Sequence, residues 1–256
     1  MQSHKADTRT GMIPEDIISI FLLACGASFV QRSTGFGFGI FIMTALPFLM
    51  PSYGEATALS GLLALTTSSI IVVRYRKYVT WKRLLPILLT FIAVSAIAIC
   101  MLKRIEGRTM RMILGGILIL TSLYFSFLKD KVKEYIRPTV GCQIGAGTLS
   151  GIMGGLFGMQ GPPAVLYFIT SEPDKEHYLA MTQMYFLVGN LMMTAVRAFN
   201  GFVTPAVGVT YLYALGGIAI GTIAGSWAFR HIPNRIFTSV VYAYIGISGL
   251  VILVTA

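Results

Sequence analysis

Apolar residues fill this chain in long stretches separated by short polar ones, without the strict alternation that marks a barrel strand. In order they predict segment a from Ile17 to Val30, b from Phe36 to Met50, c from Ala56 to Val73, d from Leu84 to Leu102 and e from Met110 to Leu128. After a charged stretch, Lys129 to Pro138, the order repeats: a′ from Val140 to Met153, b′ from Pro162 to Thr170, c′ from His177 to Val196, d′ from Pro205 to Phe229 and e′ from Ile236 to Ala256. Several of these are long enough to cross a hydrocarbon core of roughly 30 Å as helices. Segments a and b do not span comfortably alone. The expected fold is an all-α integral membrane protein, with a polar tail over residues 1–15, a first repeat over 16–128, a linker over 129–138 and a second repeat over 139–256.

Two glycine-rich runs interrupt the apolar pattern: Gln31-Arg32-Ser33-Thr34-Gly35-Phe36-Gly37-Phe38-Gly39, and Gly154-Gly155-Leu156-Phe157-Gly158-Met159-Gln160-Gly161-Pro162-Pro163. Closely spaced glycine, and a Pro-Pro pair, weaken or break a helix. Unpaired peptide groups in hydrocarbon cost several kcal/mol each, so unwound backbone at membrane depth must be buried in protein or line a cavity. A shift of 121 residues lays Phe36-Gly37 on Phe157-Gly158, Glu55 on Glu176 and Arg76 on Arg197, so break falls on break and turn acid on turn acid. Five segments per half is an odd number, which predicts inverted repeats with glycine-rich broken or re-entrant helices at the centre.

Charge sets the expected orientation. The c–d loop carries Arg74, Arg76, Lys77, Lys82 and Arg83, and the linker carries Lys129, Lys131, Lys133 and Arg137. Both lie on one side and are assigned to the cytoplasm by the positive-inside rule, although the d–e loop, with Lys103, Arg104, Arg108 and Arg111, then faces outward against that count. Both termini come out external.

Composition agrees. The 256 residues are 55% hydrophobic and 12% charged, with a mean hydropathy of +0.75, outside the range of a soluble domain. A formal charge of +10 would point to nucleic acid in a soluble protein; here the basic residues sit in short clusters between spans and read as topology signals. Cys25, Cys100 and Cys142 have no metal-ligand spacing and read as small core residues. Leu22-Leu23-Ala24-Cys25 resembles a lipoprotein cleavage box, but Glu15 and Asp16 stand where a signal peptide carries positive charge, so a retained first helix is the better reading. His4, His177 and His231 are scattered, and neither a catalytic constellation, a metal site nor a cofactor is expected.

Where a helix restarts within the membrane, its first N–H groups and its dipole favour a small anion. The candidate binding residues are therefore those of the two breaks: Gln31, Arg32, Ser33, Thr34, Gly35, Phe36, Gly37, Phe38 and Gly39, with Phe157, Gly158, Met159, Gln160 and Gly161. The competing reading of the glycines is close helix packing; that of Arg32 is a side chain that snorkels to the surface. Gln183 and Asn190, seven apart on one face of segment c′, could add amides to the same cavity, and Thr66, Thr67, Ser68 and Ser69 hydroxyls more weakly. Glu55 and Glu176 are candidates for coupling to an ion, against the simpler role of complementing a helix dipole. Arg76 and Arg197 are read as interface anchors at the ends of their helices.

The pattern Gln31-x-x-x-Gly35-Phe36-Gly37-Phe38, the later run ending in Gly161-Pro162-Pro163 and the doubled architecture resemble the TauE/SafE family of sulfite exporters, also called the TSUP family of anion permeases. The resemblance covers Ile17 to Val254. It implies secondary transport of sulfite, sulfoacetate, other sulfonates or small organic anions through a bacterial plasma (inner) membrane. In the family pattern Gln31 is commonly followed by glycine, where this chain has Arg32, and a basic residue often stands near the position of Tyr178 and Leu179, where this chain has none. The expected function is a permease that binds a small anion between the breaks and works by alternating access. Its partners are the anion, the lipid bilayer and a coupling ion, H+ or Na+, with no nucleic acid. An anion channel and a non-transporting anion sensor are the alternatives.

Overall fold

The computed structural model of the protein describes residues 14–128, 138–231 and 234–255. The expected tail up to residue 13, and the linker apart from Pro138, lie outside the described residues, while Pro14 and Glu15, expected in the tail, open α1. Eleven α-helices cover almost all of the rest: α1 Pro14–Thr34, α2 Phe38–Ile42, α3 Leu46–Leu49, α4 Tyr53–Tyr75, α5 Trp81–Leu102, α6 Gly107–Leu123, α7 Val140–Phe157, α8 Gly161–Ser171, α9 Lys175–Phe199, α10 Pro205–His231 and α11 Asn234–Thr255. Seven of the helices among the described residues are long and apolar enough to cross a membrane. The protein is a multi-pass membrane protein.

Three of the long helices, α4, α7 and α9, start at a side-chain cap. Ser52 accepts the Glu55 amide at 3.2 Å at the head of α4, and Asp174 accepts the His177 amide at 2.9 Å at the head of α9. Asp16 lies in the first turn of α1, where negative charge complements the helix dipole.

Four helix pairs make the bundle: α1 with α10, α5 with α7, α4 with α9, and α6 with α11. Glycine decides the first two. A Cβ on Gly217 or Gly221 of α10 would overlap the backbone of Phe21 or Cys25 on α1, and one on Gly225 would meet Phe29 O at 2.8 Å. On α7, added Cβ atoms at Gly147, Gly151 and Gly155 would meet Ile87 O at 2.7 Å, Val94 Cβ at 2.8 Å and Ala98 Cβ at 2.6 Å. In both pairs the contacts advance together along the two chains, so the helices run parallel, joined by four-residue glycine stripes that let backbones approach in a medium offering no hydrophobic drive. The other two pairs are antiparallel: Gly61 of α4 faces Thr194 and Arg197 of α9, and Gly115 of α6 faces Ile252 and Leu253 of α11. Outward-facing Leu89, Ile97, Leu120, Ile223, Trp227 and Leu250 form the lipid surface, while Gln31, Ser60, Gln183, Asn190 and Arg197 are buried inside.

The structure moves several expected boundaries. Segment a was expected to stop at Val30; α1 continues through Gln31, Arg32, Ser33 and Thr34 and is 21 residues long, enough to span. Ser33 and Thr34 return their hydroxyls to the carbonyls of Phe29 and Val30, at 2.7 and 2.9 Å, so these polar residues sit in a helix without unmet groups. Segment b is two short helices rather than one, with a turn at Met43–Ala45 between them, so it is a broken segment and not one continuous helix. Arg76 is exposed, as a surface anchor should be, but Arg197 is fully buried. It is no interface anchor.

Gly145, on the same helix as the α7 stripe, has nothing within 4 Å of an added Cβ. Gly145→Ala should leave the melting temperature of the purified protein unchanged or slightly raised, because alanine is the better helix former by about 1 kcal/mol. Gly151→Leu should cost about 1–3 kcal/mol or more through overpacking and be seen as a lost monodisperse peak or a lower melting temperature.

Candidate functional site

The first break is three residues long. Gly35 and Gly37 take φ of 85° and 95°, a left-handed backbone that disfavours any side chain, and α2 restarts from Gly37. The Thr34 hydroxyl bridges the gap: it accepts the Phe36 amide at 3.2 Å, and its one hydrogen lies within reach of either Phe36 O at 2.7 Å or Val30 O at 2.9 Å. The second break centres on Gly158, at φ 68°, which caps α7, and Gln160 leads into α8.

The two breaks touch backbone to backbone. A Cβ on Gly39 would lie 2.5 Å from Gly158 O and 3.2 Å from Met159 Cα. Beside this contact is a hollow of about 30 Å³, room for about two water-sized groups. Gln31, Gly37, Phe38, Gly39, Gly158, Met159, Gln160, Gly161 and Asn190 line it, together with Ile40, Ala64, Ser68 and Phe186.

A buried amide network holds one wall. Gln31 Nε2 donates to Ser68 Oγ at 3.3 Å and Gln183 Oε1 at 3.1 Å; its Oε1 accepts from Thr67 at 3.1 Å. Gln183 Nε2 then donates to Gly35 O at 2.7 Å, tying α9 to the first break. Gln183 thus sits behind the hollow rather than in it. On the opposite wall Gln160 Nε2 donates to Phe186 O at 3.3 Å, while its Oε1 is buried without a partner among the described residues. Asn190 is 3% exposed and lines the hollow. The site holds no charged side chain; its lining is mainly apolar, and the polar groups in it come from Gln31, Gln160, Asn190, Ser68 and the break backbone.

Not every candidate reaches it. Arg32 turns to α10, where its Nε donates to Ser226 Oγ at 2.8 Å, and Ser33 donates to Gly225 O at 3.3 Å on the same helix. Phe36 packs on Phe125, with ring centroids 5.1 Å apart, and Phe157 is core. Helix-end amides also contribute less than the breaks alone imply. α2 has five residues and little dipole, Pro162 and Pro163 carry no N–H, and the Ala164 amide is taken by Ser150 Oγ at 3.1 Å. The side-chain amides of Gln31, Gln160 and Asn190 therefore carry most of the polarity. Ile40, Ala64 and Phe186 carry no polar signal in the sequence; only packing places them here.

The acidic candidates lie at the membrane surfaces. Glu55 accepts from Thr204 Oγ1 at 2.7 Å and Ser52 Oγ at 3.1 Å, which fastens the α9–α10 turn to the head of α4. Glu176 is exposed in the first turn of α9. Sequence reading passed over Glu172, between α8 and α9, whose side chain is 1% exposed with Arg83 3.7 Å away. Burial pushes the Glu172 carboxyl above the ordinary carboxylate range, and Arg83 offsets this only in part.

A sequence model of the sulfite exporter TauE/SafE family matches residues 20–252. The chain is also 22% identical, over 208 residues and 80% of each chain, to a protein of Cupriavidus necator named "Probable sulfite/organosulfonate exporter TauE". No solved structure matches it significantly.

A carboxyl whose pKa is raised by folding favours the native state while protonated, and that contribution is lost as pH rises through the folded-state pKa. Glu172→Gln should therefore melt above the wild type at neutral and alkaline pH, with the gap closing in acid below the ordinary carboxylate range. Parallel melting curves at every pH would contradict this.

Proposed function

The chain belongs to the sulfite exporter TauE/SafE family, and from that premise we propose that it is a secondary transporter carrying sulfite or an organosulfonate across the bacterial inner membrane by alternating access. The observation that carries this reading is the meeting of the two glycine breaks, from opposite halves of the chain, at one buried amide-lined hollow. A sulfonate or sulfite group presents three oxygens, all acceptors, and the amides of Gln31, Gln160 and Asn190 with the break backbone offer donors that can reorient to meet them. A neutral site suits a carrier, because donors without full charge bind an anion weakly enough to release it again.

Inverted repeats belong to the same proposal and draw support from the packing. A two-fold axis in the membrane plane that exchanges the halves must turn the α1–α10 pair into α7–α5 and leave α4–α9 and α6–α11 as self-pairs. It requires the first two to share one sense and the last two to be antiparallel, as they are. Each repeat then supplies one break, and rocking one half against the other opens the hollow to either side. The work is carriage rather than catalysis, and either H+ or Na+ serves as coupling ion.

Radiolabelled sulfite and sulfonate flux into proteoliposomes tests the reading. Wild-type flux should saturate, and a superimposed H+ or Na+ gradient should identify the driving ion. Gly37→Leu and Gly158→Leu force side chains into left-handed backbone and should each reduce flux at least about tenfold. Uptake that never saturates, or single-channel currents, would make the protein a channel. Anion binding without flux under any gradient would make it a sensor.

A further inference from the structure

Arg197 has no role in the hollow, yet among the described residues it is the only Lys or Arg that is buried, at 0% exposure. Its Nη2 donates to Gly154 O at 2.8 Å and Gly155 O at 3.3 Å, two carbonyls in the last turn of α7. Gly154 O also accepts the Gly158 amide at 3.1 Å, so the guanidinium and the second break share one acceptor. Its remaining donors, Nε and Nη1, are buried and unpartnered among the described residues, and no described carboxylate is within ion-pair reach. An unpaired charge held in a membrane protein's interior costs several kcal/mol and marks a functional position.

The surroundings add hydroxyls. Thr194 Oγ1, one turn earlier on α9, is also buried and unpartnered, and so is the hydroxyl of Tyr53, which lies close enough to interact electrostatically with the guanidinium. Across from them α4 presents Gly61, where a Cβ would stand 3.3 Å from Nη1 and 3.2 Å from Thr194 Oγ1. A side chain at that position would crowd both groups, so α4 packs bare backbone against them. Tyr53 opens α4 at the surface where Glu55 meets Thr204, so the cluster lies between that surface and the hollow, one helical turn of α7 from Gly158.

Resting on the transport reading above, we infer that Arg197, Tyr53 and Thr194 form a second anion station: a charged stop for a sulfur oxyanion between the hollow and the membrane face of Glu55 and Thr204. Nη1, on the side of Thr194, donates to the anion, and the two hydroxyls donate to its remaining oxygens. Anchorage to Gly154 and Gly155 keeps the guanidinium at a fixed distance from the break. The neutral hollow orients the substrate, and the charged station selects anions and draws them toward it.

The test uses purified full-length protein, with sulfite and methanesulfonate as probes. Half-saturation is read from thermal stabilisation and from proteoliposome uptake. Tyr53→Phe and Thr194→Val remove hydroxyls that bond nothing in the described structure, so both should fold and should raise half-saturation several-fold. Arg197→Gln keeps a donor amide on the shorter side chain but lacks charge; it should raise half-saturation at least about tenfold, with Arg197→Lys in between. A role confined to capping α7 predicts the opposite pattern: lower melting temperatures for both Arg197 variants and unchanged half-saturation in every folded variant. That pattern would overturn the inference and leave the transport reading standing. A wild type with neither stabilisation nor uptake would sink both. Should Arg197→Gln fail to fold, the two hydroxyl variants decide alone.

Discussion

The architecture depends on one close approach: the unadorned backbone of Gly39 against the carbonyl of Gly158. A membrane interior punishes unwound peptide, and this contact lets two unwound segments cover each other while leaving a polar gap at their side. Glycine is required there for two separate reasons. Left-handed φ at Gly35, Gly37 and Gly158 turns the chain, and the missing side chain at Gly39 allows the turns to touch. Several buried polar side chains are arranged around the result. Gln31 and Gln183 clamp α1, α4 and α9 to the first turn, and Ser150 and Arg197 hold α7, α8 and α9 about the second.

The same logic sets the division of labour between the two glycine populations. Stripes on α7 and α10 fasten parallel helix pairs, because small residues are what bring backbones together when lipid removes the hydrophobic drive between helices. Glycines in the breaks do not fasten; they bend. The bundle is thus two parallel pairs framing the breaks, and the antiparallel α4–α9 pair carries side chains to both the amide wall and the buried guanidinium.

Much of this is legible in the sequence. Segments c, d and e and the primed segments c′ and d′ fall within a few residues of their helices, since long apolar runs flanked by capping residues have few alternatives. The glycine runs point to unwound backbone, and both lie at the hollow. Three features escape. Polar Gln31 to Thr34 look like part of the break, yet Ser33 and Thr34 satisfy their hydroxyls on their own helix, so α1 reaches spanning length. Segment b looks continuous because nothing in its composition marks the turn at Met43–Ala45. Arg197 looks like its counterpart Arg76, because position along a helix says nothing about which carbonyls of a distant helix wait beside it. Local chemistry is written locally; the placement of a buried cation depends on contacts more than forty residues away, with Gly154.

The central claim is that an oxyanion occupies the gap between the two breaks. Selenite, a heavier analogue of sulfite, gives an anomalous X-ray signal, and diffraction data from crystals grown with it would locate the anion directly. The account predicts a selenium peak within hydrogen-bond reach of the Gln31, Gln160 and Asn190 amides and the Gly37–Gly39 backbone. Selenium found only at exposed lysine and arginine side chains, with lipid or protein filling the space beside Gly39 and Gly158, would contradict it.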